Sequence, residues 1–358
     1  MSEKINYYSD CRHFKGYIPC RPHKEHGCHC ETCPEYSKIT KKILIIKLGA
    51  IGDVIRTTPL LTKLWEEEPE AEIWWLTYSP DVVPAKVDKV LGFNLESITT
   101  LRNIHFDLII NLDKDFEACA LASEIYSDDT WGYILDKGRP APANKNAEHK
   151  FVTGLFDDVS KANTKNYMEE IFEICGWEFN GEEYLLDVDN SIEWDIPNEG
   201  KKIIGLNTGC GARWVSRLWD NKYWIELIEL LQANGWFPIL LGGSQEHNNN
   251  TKLHEQTGAC YLGHFPLQKF ISLMGQCDGI VSAVTMGMHI AIGLKKPLLL
   301  MNNIFNPNEF ELYGRGEIIQ PDKECKCYFS PRCKNDEYFC MDHLKPKSVY
   351  EAIRRHIK

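Results

Sequence analysis

Nowhere in its 358 residues does this chain carry an apolar run approaching the roughly 18 that a membrane-spanning helix needs. It lacks a basic excess as well. Forty Lys and Arg stand against 51 Asp and Glu, a formal net charge of −11, which disfavours bulk binding to nucleic acid because that requires a basic face. The opening stretch MSEKINYYSDCRHF has neither an apolar core nor a small-residue cleavage site, so it does not read as a signal peptide. Short repeats and low-complexity tracts are missing too. These absences leave the expectation of a cytoplasmic globular protein. A content of 43% hydrophobic and 25% charged residues suits a packed core under a solvated surface, and the length suffices for two domains.

Residues 1–40 are polar, rich in Cys and His, and show little periodicity; they read as a separate arm. From Lys42 the pattern alternates. KILIIKL predicts a buried strand, residues 53–65 a helix, and AEIWWLT and FDLIINL further strands. Short apolar runs between helical stretches point to a parallel sheet with crossovers. The stretch 185–202 has no clear period and contains Pro197 and Gly200, so it reads as a linker. A second series follows, with strands expected at KIIGLNT, WFPILLGG, DGIVSAV and KKPLLLM and helices between and after them. The expected domains are therefore 1–40, 41–185 and 201–358, the last two being doubly wound α/β domains facing across a cleft. Such sheets bind ligands at the carboxyl ends of their strands.

Asp53 stands where the strand KILIIKL and its Gly-x-x-Gly turn give way to a helix. One reading is a helix N-terminal carboxylate, which the helix dipole favours. The other is a general base, ionised at neutral pH and placed at the substrate edge of the sheet. Position alone leaves both open. KGRPAPANKNAEHK, 137–150, reads as a Pro-rich basic loop, either solvated or able to meet an anionic acceptor.

The 14 cysteines are many for a reducing compartment, where clusters lean towards metal or plain thiols. Cys11, Cys20, Cys28, Cys30 and Cys33, interspersed with His13, His23, His26 and His29, are dense enough for a tetrahedral thiolate site. An arm without a core needs such a staple, since metal binding supplies folding free energy. Structural zinc is the expected ion, with an iron–sulfur cluster as runner-up. A second group, Cys325, Cys327, Cys333 and Cys340, has the spacing of a knuckle but leaves metal and plain thiols open.

The stretch LGAIGDVIRTTPLLTKLWEEEPEAEIWWLT resembles the opening of glycosyltransferase family 9, the heptosyltransferases. The likeness continues in order through FDLIINL, GLNTGCGARWVSRLWDNKYWIELIELL, LLGGSQE, SAVTMGMHIAIGLKKPLLL and CKCYFSPRCKNDEYFCMDHLKPKSV, over about residues 42–355. It implies the GT-B architecture of two Rossmann-like domains, and an inverting sugar transfer with no catalytic cofactor. The donor implied is a nucleotide sugar, ADP-heptose favoured, and the acceptor a cell-envelope glycan or glycolipid, with contact to the inner face of the membrane peripheral at most. On this resemblance Asp53 is the base. Thr208, Gly209 and Arg217 meet the diphosphate, Glu246 the nucleoside, and Thr285 and His289 the same cleft. The family pattern Asp-Thr-Gly-x-x-His is altered: Val284 stands at the Asp position and Met286 at the Gly. A reading from another class is a catalytically silent, metal-stapled relative that holds a nucleotide or glycan as a scaffold.

Overall fold

The computed structural model describes residues 5–357. By internal packing the chain divides into two units, neither continuous in sequence. The first comprises the chain up to Leu48 with 60–80 and 85–147; the second comprises 49–59, 81–84 and the chain from Glu148 onward. The sequence pattern put a boundary near 185, whereas this division places residues 148–185 with the second unit.

The first unit holds a six-stranded sheet. Strands β1 (Lys41–Ile46), β2 (Ala71–Thr77), β3 (Lys89–Gly92), β4 (Phe106–Asn111), β5 (Ser127–Asp136) and β6 (Arg139–Pro142) lie in the order β3-β2-β1-β4-β5-β6. Every pair is parallel except β5–β6. The central strand is apolar on both faces, as a parallel sheet requires: Leu44 and Ile46 join Trp74, Leu76, Phe106 and Ile109 in one buried cluster. Part of the expected basic loop is the edge strand β6. Pro140 lies opposite Leu135 and Pro142 opposite Tyr133. An edge strand tolerates prolines because one row of its N–H groups has no ladder to join.

The arm belongs to this unit. Cys11 forms an isolated bridge with Lys38, and Arg12 donates to the Ala71 carbonyl at 2.9 Å and pairs with Asp88. Between these anchors lie only a short helix, Arg21–His26, and a single 3-10 turn, Cys30–Thr32.

The second unit holds a five-stranded, all-parallel sheet. Strands β7 (Ile203–Asn207), β8 (Phe237–Leu241), β9 (Gly279–Ala283), β10 (Leu298–Met301) and β11 (Gly316–Ile319) take the order β11-β10-β9-β7-β8. Leu206, Leu240, Val281 and Leu299 from the sheet pack with Trp224 and Leu231 of the Asn221–Ala233 helix and with Val349 and Ile353 of the Pro346–His356 helix.

The helix expected over 53–65 is two, Ile51–Thr57 and Pro59–Glu67. Pro59 lacks the N–H that would continue the ladder, so the first helix ends at Thr57 with Thr58 as its cap, still in the helical region, and Pro59 opens the second. The first of the two packs in the second unit against the helix Met286–Gly293. Their approach leaves no room for a side chain at Gly52, where a Cβ would stand 2.4 Å from Cδ2 of His289.

Candidate active site

A cavity of about 820 Å³ opens in the second unit. Its walls come from the Ile51–Thr57 helix, the loops after β7 and β8, the start of the Met286–Gly293 helix, and the loops carrying Phe305–Phe310 and Phe329. These are the carboxyl ends of parallel strands, where the backbone has turned and left its amides available.

Asp53 is the third residue of its helix. One carboxylate oxygen accepts from the Ala50 amide at 3.2 Å, and the other pairs with Arg56 Nη2 at 2.8 Å. The side chain keeps 33% of its surface. A carboxylate that closes a helix start in this way still has lone pairs for a further donor.

Arg217 sits in the 3-10 turn Val215–Arg217. It is 7% exposed and lies 5.3 Å from the Trp214 ring centre and 5.5 Å from that of Phe305. Its Nη2 reaches the Cys210 carbonyl only at 3.4 Å, and Nε has no partner among the described residues. No carboxylate of the described residues pairs with it. Burial pulls its pKa down to about 10, and it remains a cation at neutral pH. Burial raises the adjacent Cys210 thiol to about 11, against the pull of Arg217. A buried cation without a counter-ion is costly unless a ligand supplies the anion.

Glu246 lines the cavity with its carboxylate turned to backbone, accepting from Gly243 N at 3.0 Å and Gly211 N at 3.4 Å. It lies so close to residue 209 that a Cβ there would stand 2.1 Å from its Cγ, so a side chain in place of Gly209 would displace the Glu246 carboxylate. Thr285 caps its helix, accepting from Gly287 N at 3.1 Å and from Asn207 Nδ2 at 3.0 Å. His289, one turn on, is 7% exposed and stacks 6.2 Å from the Tyr184 ring. Burial first, and the Arg56 charge second, lower its pKa to about 3, so it is neutral at physiological pH. Its Nδ1 has no partner among the described residues. It can hydrogen-bond a ligand but cannot serve as a cation for phosphate.

Thr208 is placed apart from the other expected ligands. It does not line the cavity; it is buried and donates to Asn250 Oδ1 at 2.6 Å. Side chains alternate at the end of a strand, and here Asn207 takes the cavity side. Asn207, Arg56, Gln245 and Glu309 also line the site and were not singled out from the sequence. Asn207, one residue before Thr208 in GLNTGCG, was the most accessible of them. Val284 and Met286 line it too, so the wall is apolar where the family pattern carries an acid.

The clustered cysteines fall in two groups, one in each unit. Cys11, Cys20, Cys28, Cys30 and Cys33, with His13, His23 and His29, line one cavity of about 190 Å³ in the arm. Cys28 and Cys33 are hydrogen-bond neighbours, and Cys20 is close enough to affect Cys28. Among the described residues the trio whose ligand atoms lie within 4.8 Å of one another is Glu25, His26 and Glu35; the thiols face one space without closing to that spacing. In the second unit Cys327 and Cys333 approach to 3.7 Å, and Cys340 pairs with Cys325 while accepting from Asn303 Nδ2 at 3.2 Å. The loop they tie carries Phe329 to the cavity and accepts Ser216 Oγ–H at the Ser330 carbonyl, 2.6 Å.

The Pseudomonas aeruginosa protein named lipopolysaccharide heptosyltransferase 1 is 22% identical over 356 residues, 86% of this chain and 96% of that one. The crystal structure of a family 9 glycosyltransferase from Veillonella parvula superposes with a TM-score of 0.67 at 15% identity, covering 89% of this chain and 97% of its own. The E. coli ADP-heptose lipopolysaccharide heptosyltransferase II does so with a TM-score of 0.62 at 17% identity, covering 88% and 98%. The two parallel-sheet units are thus those of the GT-B heptosyltransferase structures. Residues 95–338, more than half of the chain, match glycosyltransferase family 9 (heptosyltransferase). The chain belongs to that family and is a glycosyltransferase of the heptosyltransferase type.

Proposed function

We propose that the protein moves a sugar, heptose favoured, from ADP-heptose to a hydroxyl of a lipopolysaccharide-type glycan, inverting the anomeric centre. The observation that carries this is Arg217, a buried cation without a counter-ion in the same cavity as Asp53. The nucleotide diphosphate supplies the missing anion. Asp53 takes the acceptor hydroxyl's proton as that oxygen bonds to the anomeric carbon. The bond from that carbon to the diphosphate breaks on the opposite face, and Arg217 and the amides opening the Met286–Gly293 helix stabilise the leaving charge. The heptosyltransferase names of the P. aeruginosa and E. coli relatives support heptose and lipopolysaccharide. Among the described residues no helix is long and apolar enough to cross a membrane. The reading accordingly has the enzyme meet a lipid-linked acceptor peripherally, from the cytoplasmic side.

Calorimetric titration of ADP and adenosine tests the phosphate role. Arg217→Ala should weaken ADP by roughly ten- to a hundredfold, the worth of one or two charge-assisted hydrogen bonds, and leave adenosine within about twofold. Equal losses for both ligands would remove Arg217 from the phosphate site. Val284 and Met286 favour the second reading, a silent nucleotide- or glycan-binding relative, and absence of turnover with intact binding would select it.

For the arm we propose a structural zinc on a subset of Cys11, Cys20, Cys28, Cys30 and Cys33, with an iron–sulfur cluster as the alternative. The single cavity lined by all five thiols supports this, and thiolate with imidazole is a donor set that suits zinc. The metal would take no part in the transfer.

A further inference from the structure

The cavity holds another carboxylate with no role so far. Glu309 stands on the 3-10 turn Pro307–Glu309, in the loop after β10. Its Oε1 accepts from Arg56 Nη1 at 2.9 Å, while Arg56 Nη2 holds Asp53 at 2.8 Å. One guanidinium thus links the two carboxylates. Arg56 is itself clamped, with a side chain 15% exposed and its guanidinium carbon 3.5 Å from the centre of the Tyr167 ring.

The loop bearing Glu309 also reaches the phosphate end of the site, because the ring of Phe305 lies against Arg217. A nucleotide sugar with its diphosphate on Arg217 and its anomeric carbon beside Asp53 therefore runs its sugar along residues 305–310. Sugar hydroxyls leaving water need acceptors, since a buried donor left unsatisfied is unfavourable. Val284, Met286 and Phe310 offer no side-chain acceptor, and Glu246 is turned to the amides of Gly211 and Gly243. Glu309 keeps a side chain 26% exposed at this place.

We propose that Glu309 is the specificity-determining residue for the donor: held by Arg56, its carboxylate accepts hydrogen bonds from hydroxyls of the transferred sugar. This rests on the nucleotide-sugar reading above. It moves sugar recognition from position 284, where Val stands, to the loop after β10 in the same cavity.

The test compares ADP with ADP-heptose by calorimetry on the full chain, wild type and Glu309→Gln. The amide keeps the shape and a carbonyl for Arg56 but loses the charge and one acceptor. ADP-heptose affinity should fall about tenfold, the size expected of a charge-assisted contact, with ADP within about twofold. Unchanged affinity for both ligands overturns the proposal. Equal weakening of both does so too, because it marks a merely structural role. So does a variant that binds ADP-heptose normally and shows only a raised acceptor KM, which would assign Glu309 to the acceptor. A wild-type chain that binds neither ADP nor ADP-heptose would instead strike the parent reading, and the proposal with it.

Discussion

Lowering the pH from 7 to 5 should destabilise the second unit through one buried imidazole. His289 has its pKa pulled to about 3, chiefly by burial and next by the Arg56 charge, with Asp53 opposing. Tyr184, stacked on it, stays neutral because burial drives its own pKa far upward. An unfolded histidine titrates near 6.5. Between about pH 6.5 and 3 the unfolded chain therefore binds a proton that the folded chain refuses, and stability rises with pH. The contribution is complete above about 6.5 and is lost as pH falls. Each unit is worth about 1.4 kcal/mol, so at pH 5, about 1.5 units below the unfolded value, the loss is about 2 kcal/mol. Urea unfolding of wild type and His289→Gln at pH 7 and pH 5, followed by tryptophan fluorescence, measures it. The variant cannot titrate there, so wild type should lose about 2 kcal/mol more than the variant between the two pH values. A gap between the two proteins that is the same at both pH values would refute the reasoning.

Asp53→Asn should reduce turnover with ADP-heptose and a verified acceptor by at least roughly a hundredfold, with ADP binding nearly intact; near-wild-type turnover would exclude Asp53 as the base. Elemental analysis of protein prepared without added metal should find about one zinc per chain, and its removal by a strong chelator should expose residues 5–40 to protease while leaving ADP affinity unchanged. A fully folded, metal-free chain would end that idea.

The strands with two apolar faces were legible because nothing else explains runs such as KILII and PLLLM. The ones that escaped are polar or short. β3 has four residues, β5 opens with SDDT, and β6 contains two prolines, so their pairing is imposed by neighbours rather than by their own pattern. At the site, Asp53, Gly209, Arg217, Glu246, Thr285 and His289 share one cavity. Thr208 does not, because one residue of strand phase separates it from Asn207. Arg56 and Glu309 are 253 positions apart. A single side-chain pair over that distance leaves no local trace, and the break at Pro59 that frees Arg56's helix to join the second unit is visible only once its packing is known.

That helix has a consequence for recombining such enzymes. Residues 49–59 are flanked on both sides by chain of the first unit, yet they pack with the second, where Gly52 is shaped to His289. A chimera that exchanges everything before residue 148 as one block would bring in a donor's Gly52 segment against a recipient's histidine, separating two surfaces that fit only as a pair. The transferable module that keeps the cavity whole is 49–59 and 81–84 with the chain from 148 onward, which requires seams around 49–59 and 81–84 as well as at 147.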